Sequence, residues 1–368
     1  MTLARLYGRV QGHGSLAVVT AGFRSALEEA SVLAGVCPVD VHEIPEEETH
    51  AGASARHGIY TGHLGQVELM FKRGLHEHYW IMLAPNSNRL PPDLVQLIAG
   101  LQDKHHRRVH LMAPSAWATD VVSKHFIGHQ GPCITVPHGV SAEYHVRPGL
   151  SQQTRADFQG HGLFRVMHFS TSNRQRKGTV ELIQAWAKLE DSGTWAPGAQ
   201  LLCVMDYLAQ LSLMDALGDL GLSLPHGVRI VDRADLSPEA MAQNLARAHL
   251  VCQPSRGEAF GLIPLEALCS GVPVAATACT GHSEYLQPHG IGTFGARSIA
   301  TGAWAPIDDL PGSLAPALDE KDVRVALADC RENWLEYQYE ALRFAPEYQK
   351  KWAWKETLDP FVELLRNT

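Results

Sequence analysis

The chain has 368 residues, of which 45% are hydrophobic and 19% charged. That composition excludes a disordered, collagenous or coiled-coil protein, and the length suits two domains at roughly 100–200 residues each. The formal net charge of −8, from 31 Lys and Arg against 39 Asp and Glu, argues against a protein whose main task is coating nucleic acid or anionic lipid, which requires clustered cations. A local basic groove is still compatible with it. The seven cysteines (Cys37, Cys133, Cys203, Cys252, Cys269, Cys279 and Cys330) are scattered and include no C-x-x-C pair. The expectation is therefore no disulfide framework, no zinc site and a reducing, cytoplasmic setting. No secretory leader is read at the start, and no apolar run approaches the ~20 residues that span a bilayer.

Short β-rich runs alternate with helical periodicity, the pattern of α/β units with parallel sheets. Arg5–Val10 reads as a first strand, followed by a Gly-rich turn and a helix with apolar residues three or four apart from Leu16 to Leu27. Val39–Ile44 reads as a second strand. Further strands are expected at Gly58–Thr61, His78–Ala84, Val109–Ala113 and Cys133–Val136, with helices starting near Pro92 and Ala116. Between Gly139 and Gly162 the periodicity fades around Pro148, Gly149 and Gly160, which places an interdomain linker there. A second series of strands follows at Phe164–Phe169, Gln200–Met205, Val228–Val231, Leu250–Gln253 and Pro273–Ala276. Its helices are expected at Gly178–Leu189, Pro238–Arg247 and Pro264–Ser270. The tail from Val323 is helical and aromatic-rich. The expected domains are 1–150, 151–345 and a terminal segment 346–368.

Two segments carry chemistry. Gly12-x-Gly14-x-x-Ala17, between a strand and a helix, fits a dinucleotide-type phosphate turn, with Asp40 and Glu43 near the place of a ribose-binding acid. By itself this is a weak signal, and a tight strand-to-helix turn serving another ligand is the favoured reading. Residues 249–286 say more. A strand ends at Gln253, a loop runs from Pro254 to Gly261, and a helix opens near Leu262 with Pro264 in its first turn. Free N–H groups and the positive end of the helix dipole make an anion site there. Glu258 and Glu266 flank it. Two carboxylates beside an anion site suit a ligand that carries hydroxyls as well as phosphates, as a nucleotide sugar does.

The pattern Glu258-x7-Glu266, with Phe260-Gly261-Leu262 between, resembles the E-x7-E motif of retaining family 4 glycosyltransferases of the GT-B fold. Gly271-Val272-Pro273-Val274-Ala275 and Gly281-x-x-Glu284-Tyr285 follow in that family's order. Phe164–Leu189 is similar to its strand–loop–helix bearing phosphate-binding Arg and Lys, and Asp232–His249 to the helix before the motif strand. Ala113–Trp117 and Val136–Val140 resemble segments leading to its linker.

The resemblance implies a GT-B protein: two Rossmann-like open parallel-sheet domains facing a cleft, the acceptor on the first, the donor on the second, and a last helix crossing back. It implies transfer of a hexose, with retention, from a nucleoside-diphosphate sugar to a hydroxyl acceptor. The sugar nucleotide, with a UDP-sugar favoured, acts as co-substrate and no other cofactor is expected. Lys177 would neutralise the diphosphate. The family's arginine position holds Ser172, so Arg174 or Arg176 substitutes, with Arg174 favoured. Glu266 would bind ribose and Glu258 the transferred sugar. Amides of Phe260, Gly261 and Leu262 would hold phosphate or sugar, and the Gly12–Ser15 loop would close over the diphosphate. His282 stands where the family often has glycine and would add a contact. For a catalytic side chain in the first domain the candidates are His63, Asn86 and Asn88-Arg89. No Asp-x-Asp motif is present, so metal independence is expected.

Other features weigh less. The run Lys104-His105-His106-Arg107-Arg108 precedes a strand, away from the C-terminal edge where ligands of open α/β sheets bind. His76 and His78 have no third ligand in the sequence pattern. Alternatives are a glycosyltransferase acting on protein or on hydroxymethylated DNA bases, with nucleic acid an open but unfavoured acceptor. Outside the class stand a dinucleotide-dependent oxidoreductase and a non-catalytic nucleotide-sugar binder.

Overall fold

The computed structural model describes residues 3–10, 15–39, 55–62, 66–73, 76–105, 108–126, 132–171, 173–193, 195, 198–232, 237–286, 294–307 and 310–368. Two compact units divide the chain. The first comprises 1–85, 89–141 and 351–368, the second 86–88 and 142–350.

The first unit holds six parallel strands, β1 (Ala4–Gly8), β2 (Leu33–Pro38), β3 (His57–Tyr60), β4 (His78–Met82), β5 (Val109–Ala113) and β6 (Ile134–Thr135), in the order β2-β1-β3-β4-β5-β6. Its strands are apolar on both faces, as a sheet covered by helices on each side demands. Tyr79, Ile81 and Leu111 point into one cluster with Leu94, Ile98 and Val122, which lie on α3 (Pro92–His105) and α4 (Ala116–His125). Trp80, Met82 and Met112 point the other way, onto α1 (Ser15–Glu29) and the last helix, α13 (Trp354–Asn367). The short α2 (Glu68–Arg73) precedes β4. Phe23 packs against Trp354 and Phe361 with ring centroids 6.0 and 6.3 Å apart. The aromatic tail thus supplies core to the first unit.

The second unit has β7 (Phe164–Phe169), β8 (Ala199–Met205), β9 (Val228–Asp232), β10 (Leu250–Gln253), β11 (Val274–Thr277) and β12 (Ala296–Ile299). All are parallel, in the order β12-β11-β10-β7-β8-β9. A hairpin, β13 (Trp304–Pro306) with β14 (Leu314–Pro316), follows. Helices α5 (Pro148–His161), α6 (Arg174–Lys177), α7 (Thr179–Asp191), α8 (Tyr207–Asp219), α9 (Pro238–Ala246), α10 (Leu262–Cys269), α11 (Glu320–Glu332) and α12 (Trp334–Lys351) connect or cover the strands. Trp186, Leu201, Cys252, Leu327 and Trp334 lie in its core.

Two expectations are corrected. The second strand is Leu33–Pro38, not Val39–Ile44. Helix α1 ends at a turn with Ser31 at φ 57° and the Val32 N–H on the Leu27 carbonyl, so β pairing begins at once. Residues 40–54 lie outside the described residues. The linker placed over 139–162 narrows to the crossing between 141 and 142, because Pro148–His161 is a helix of the second unit. Pro148 fits the first helical turn, where its missing N–H costs nothing, and Gly162 at φ 64° ends it. Its surface is so polar that Thr154 is its one fully buried residue, which is why periodicity did not reveal it.

Candidate functional site

In the second unit the chain enters the sheet at β7, runs outward to β8 and β9, and returns to β10 on the opposite side of β7. The loops after β7 and β10 therefore leave in opposite directions, opening the crevice where ligands of such sheets bind. The loop after β7 carries α6, a single turn. The loop after β10 leads to α10. The two touch at Gly178, which has φ 64° and lies so near the Pro254 carbonyl that a Cβ would sit 2.2 Å from its oxygen. This is the physical need for glycine after Lys177.

Across the crevice three charged side chains meet, all nearly buried. Glu258 accepts from the Lys177 ammonium at 2.5 Å through Oε1 and pairs with Arg176 Nη1 at 3.2 Å through Oε2. The same Arg176 nitrogen donates to the Gly257 carbonyl at 2.8 Å. Burial alone would raise the Glu258 carboxyl, but Lys177 and then Arg176 hold it far below the usual carboxylate range. Glu258 is fixed by its backbone, with its N–H on Thr280 Oγ1 at 3.1 Å and its carbonyl accepting from Gly281 N–H at 2.8 Å.

Arg174 is not in this cluster. Its guanidinium donates to Ser212 Oγ on α8 at 2.6 Å. On one helical turn residues two apart project to opposite sides, so only one of the two arginines reaches Glu258, and it is Arg176. The structure thus places Arg176, and not Arg174, beside Lys177 and Glu258. Ser172 lies outside the described residues, as do Gly12, Gly14 and His63.

Glu266, in the second turn of α10, is buried. Burial, and then the charges of Glu258 and Glu266, raise the Tyr285 hydroxyl well above its usual value. Tyr285 donates to the Gly261 carbonyl. Gly261 is the residue before α10, with φ 83°, and with Leu262 it is half-buried, whereas Phe260 is buried against Tyr285 with ring centroids 5.7 Å apart. The Phe260 side chain is thus packing, and only its backbone is eligible for a ligand. His282 is fully buried, with Nδ1 3.0 Å from the Thr277 carbonyl. A carbonyl can only accept, so Nδ1 carries the proton and Nε2 keeps a lone pair. Burial lowers its pKa, and Nε2 has no hydrogen-bond partner.

Two features escaped the sequence reading, and a third, the segment Asn86–Asn88, was expected in the first domain. His168 on β7 bonds the Cys252 carbonyl at 3.0 Å and Thr179 Oγ1 at 2.9 Å, tying β7, β10 and the start of α7 at the switch point. Burial lowers its pKa to about 4, so it works as a neutral brace. Arg256 donates from Nε to the Pro316 carbonyl at 2.9 Å, holding the loop to the hairpin. The segment Asn86–Asn88 groups with the second unit. Asn88 Oδ1 accepts from Leu314 N–H at 2.7 Å, Ser87 meets Ser313 at 3.1 Å, and a Cβ on Gly257 would lie 1.9 Å from the Asn86 carbonyl oxygen. Asn86 thus offers its backbone to the motif loop, and Arg89 is exposed in the first unit. The basic run ends α3 before β5, with His106 and Arg107 outside the described residues. His105 there packs against Phe71 with ring centroids 4.7 Å apart. Among the described residues no helix is long and apolar enough to cross a membrane.

Solved structures with this architecture include glycosyltransferases. Anabaena HepE, solved in complex with UDP and glucose, superposes with a TM-score of 0.68 over 100% of both chains at 14% identity. WaaG, a glycosyltransferase involved in lipopolysaccharide biosynthesis, does so at 0.62 over 100% of both chains, also at 14% identity. These likenesses establish the fold: two parallel six-stranded sheets with helices, as in GT-B proteins. In sequence, the D-inositol 3-phosphate glycosyltransferase of Corynebacterium urealyticum is 26% identical over 251 residues, which make up 67% of this chain and 54% of that protein. The chain therefore matches about half the length of this relative. The profile described as "Family 4 Glycosyltransferase in conflict systems" matches residues 134–361, which include the whole crevice, and the chain belongs to that family.

Proposed function

We propose that the protein is a retaining hexosyltransferase that moves a sugar from a nucleoside diphosphate, with UDP favoured, to a hydroxyl acceptor. The observation that carries the reading is the meeting of Lys177, Arg176 and Glu258 at the switch point of the second sheet, beside the N-terminus of α10. Lys177 and Arg176 bind the diphosphate and stabilise the charge that gathers on it as the glycosidic bond breaks. The first amides of α10, at Gly261 and Leu262, add the helix dipole. Glu266 takes the ribose hydroxyls. Glu258 takes hydroxyls of the transferred sugar, and the His282 Nε2 lone pair accepts one more. Leaving-group stabilisation lets the acceptor attack from the face the phosphate departs, with the phosphate oxygen receiving the acceptor proton. Two side-chain cations and a helix terminus supply the charge a divalent ion brings elsewhere, so the reaction proceeds without metal. UDP and glucose in the HepE complex favour a UDP-sugar.

Thermal shift of the protein against UDP, GDP, ADP and NAD, followed by a donor-hydrolysis assay with the best nucleotide's sugar, tests this. Stabilisation by a nucleoside diphosphate and release of sugar are expected. A shift with NAD alone would overturn the reading.

A further inference from the structure

We propose that the Glu258 carboxylate competes with the donor diphosphate for Lys177 and Arg176, and that this competition makes the site hold an intact sugar diphosphate in preference to the free nucleoside diphosphate. The inference rests on the reading of those two cations as diphosphate ligands. The geometry points to it directly. Each carboxylate oxygen engages one cation, Oε1 on Lys177 at 2.5 Å and Oε2 on Arg176 at 3.2 Å, the arrangement two phosphate oxygens would adopt. Side-chain exposures of 9%, 13% and 10% for Arg176, Lys177 and Glu258 leave little solvent to screen the three charges. Buried cations are costly unless paired, so a partner of opposite charge is required there.

Glu258 does not yield by taking a proton, because its two cationic neighbours hold it far below the usual carboxylate range, against burial. It stays a fixed negative charge whatever else binds. Within these two ion pairs, two cations share one carboxylate. A sugar diphosphate brings one charge per phosphate. Free nucleoside diphosphate carries a further one on its terminal phosphate, whose second ionisation lies near pH 6. That extra charge appears where the sugar was bonded, the side Glu258 faces in the proposed mode of binding. Repulsion therefore falls on the product more than on the donor.

Calorimetric titration of the full chain and of Glu258→Gln with inorganic pyrophosphate, UDP and UDP-glucose tests this. Pyrophosphate and UDP are expected to bind about tenfold tighter to Glu258→Gln, UDP-glucose to change less, and the preference for UDP-glucose over UDP to shrink accordingly. UDP and pyrophosphate binding no tighter to the variant would overturn the proposal. The double variant Glu258→Gln/Lys177→Met removes one charge of each sign and should lose the gain. Where Glu258→Gln is less stable, as two cations deprived of their carboxylate imply, pyrophosphate should raise its Tm more than that of the wild type; equal rises also overturn it. If none of the three ligands binds either protein, the diphosphate reading itself fails, a result distinct from unchanged affinity.

Discussion

Replacing Arg176 and Arg174 separately by alanine distinguishes the charge cluster from its surroundings. The Arg176 side chain is 9% exposed and donates to two acceptors, the Gly257 carbonyl at 2.8 Å and the Glu258 carboxylate at 3.2 Å. Hydrogen bonds to charged groups contribute about 1.5–3 kcal/mol each, and little of that is screened at such burial. Lys177 still pairs with Glu258 in the variant, so the fold loses only part of this, about 1–2 kcal/mol. In the proposed mode of binding the transition state loses more, because one of the two cations assigned to the departing diphosphate is gone: roughly 2–4 kcal/mol, or about 30- to 1,000-fold in kcat/KM. Arg174, whose guanidinium rests on Ser212, should cost less than about threefold. The assay is hydrolysis or transfer from UDP-glucose with kcat and KM determined separately, and Tm measured alongside. A loss at Arg174→Ala as large as that at Arg176→Ala would refute the placement of the diphosphate.

Turnover should be unchanged after dialysis against EDTA, as measured by the same assay; abolition would sink the metal-free reading. Gly257→Ala puts a Cβ 1.9 Å from the Asn86 carbonyl oxygen, so backbone must move. We expect a destabilisation of about 1–3 kcal/mol, seen in denaturant unfolding, together with loss of activity, since the Gly257 carbonyl anchors Arg176. The first unit should be acid-sensitive. His57 donates from Nε2 to the Leu365 carbonyl and accepts from Trp80 Nε1, while His78 and His110 share a hydrogen bond of 3.0 Å. Burial first, then the neighbouring imidazole, lowers His57 and His110 from 6.5 to about 4. A histidine lowered in the folded state gives stability that is complete above the unfolded pKa of about 6.5 and is lost as pH falls toward 4. Tm should therefore drop on acidification across that window, and His57→Gln, which keeps donor and acceptor without titrating, should flatten the slope.

How much of this the sequence made legible follows from what each signal measures. Strands such as Phe164–Phe169, Val109–Ala113 and Leu250–Gln253 stand out because both faces are largely buried, giving mainly apolar runs bounded by turns, with Arg165, His168, His110 and Gln253 as their polar members. Helix α5 was invisible because it buries almost nothing, and β2 was misplaced because the αL turn at Ser31 sits at a residue type with no bias for it. Glu258 and Glu266 were readable from one loop and the helix it enters. The choice between Arg174 and Arg176 was not. It depends on the direction in which a four-residue helix points toward a carbonyl 81 positions away, and no local pattern encodes that. The bracing of Asn86–Asn88 against Gly257 and Leu314 is hidden for the same reason.

In the proposed mode of binding, the order of the second sheet explains how a chain of net charge −8 holds a diphosphate with so little positive charge. Were β10 placed outside β9, the loops bearing Lys177 and Glu258 would leave from strands far apart, and each charge would be solvated. With β10 beside β7, the two loops are pressed together at Gly178 and Pro254, and the ion cluster is shut from water. In that setting Coulombic effects grow several-fold over those at the surface, so two cations and the first amides of α10 suffice. The same burial demands a counter-charge, which Glu258 supplies. Site strength and the competition imposed by Glu258 thus have one origin, and a substitution that opens the loop contact, such as Gly178→Ala at φ 64° with a Cβ 2.2 Å from the Pro254 oxygen, should weaken both together. Pyrophosphate affinity in the Gly178→Ala background should then become insensitive to Glu258→Gln; a tenfold gain that persists there would show that the cluster does not depend on the packing of these loops.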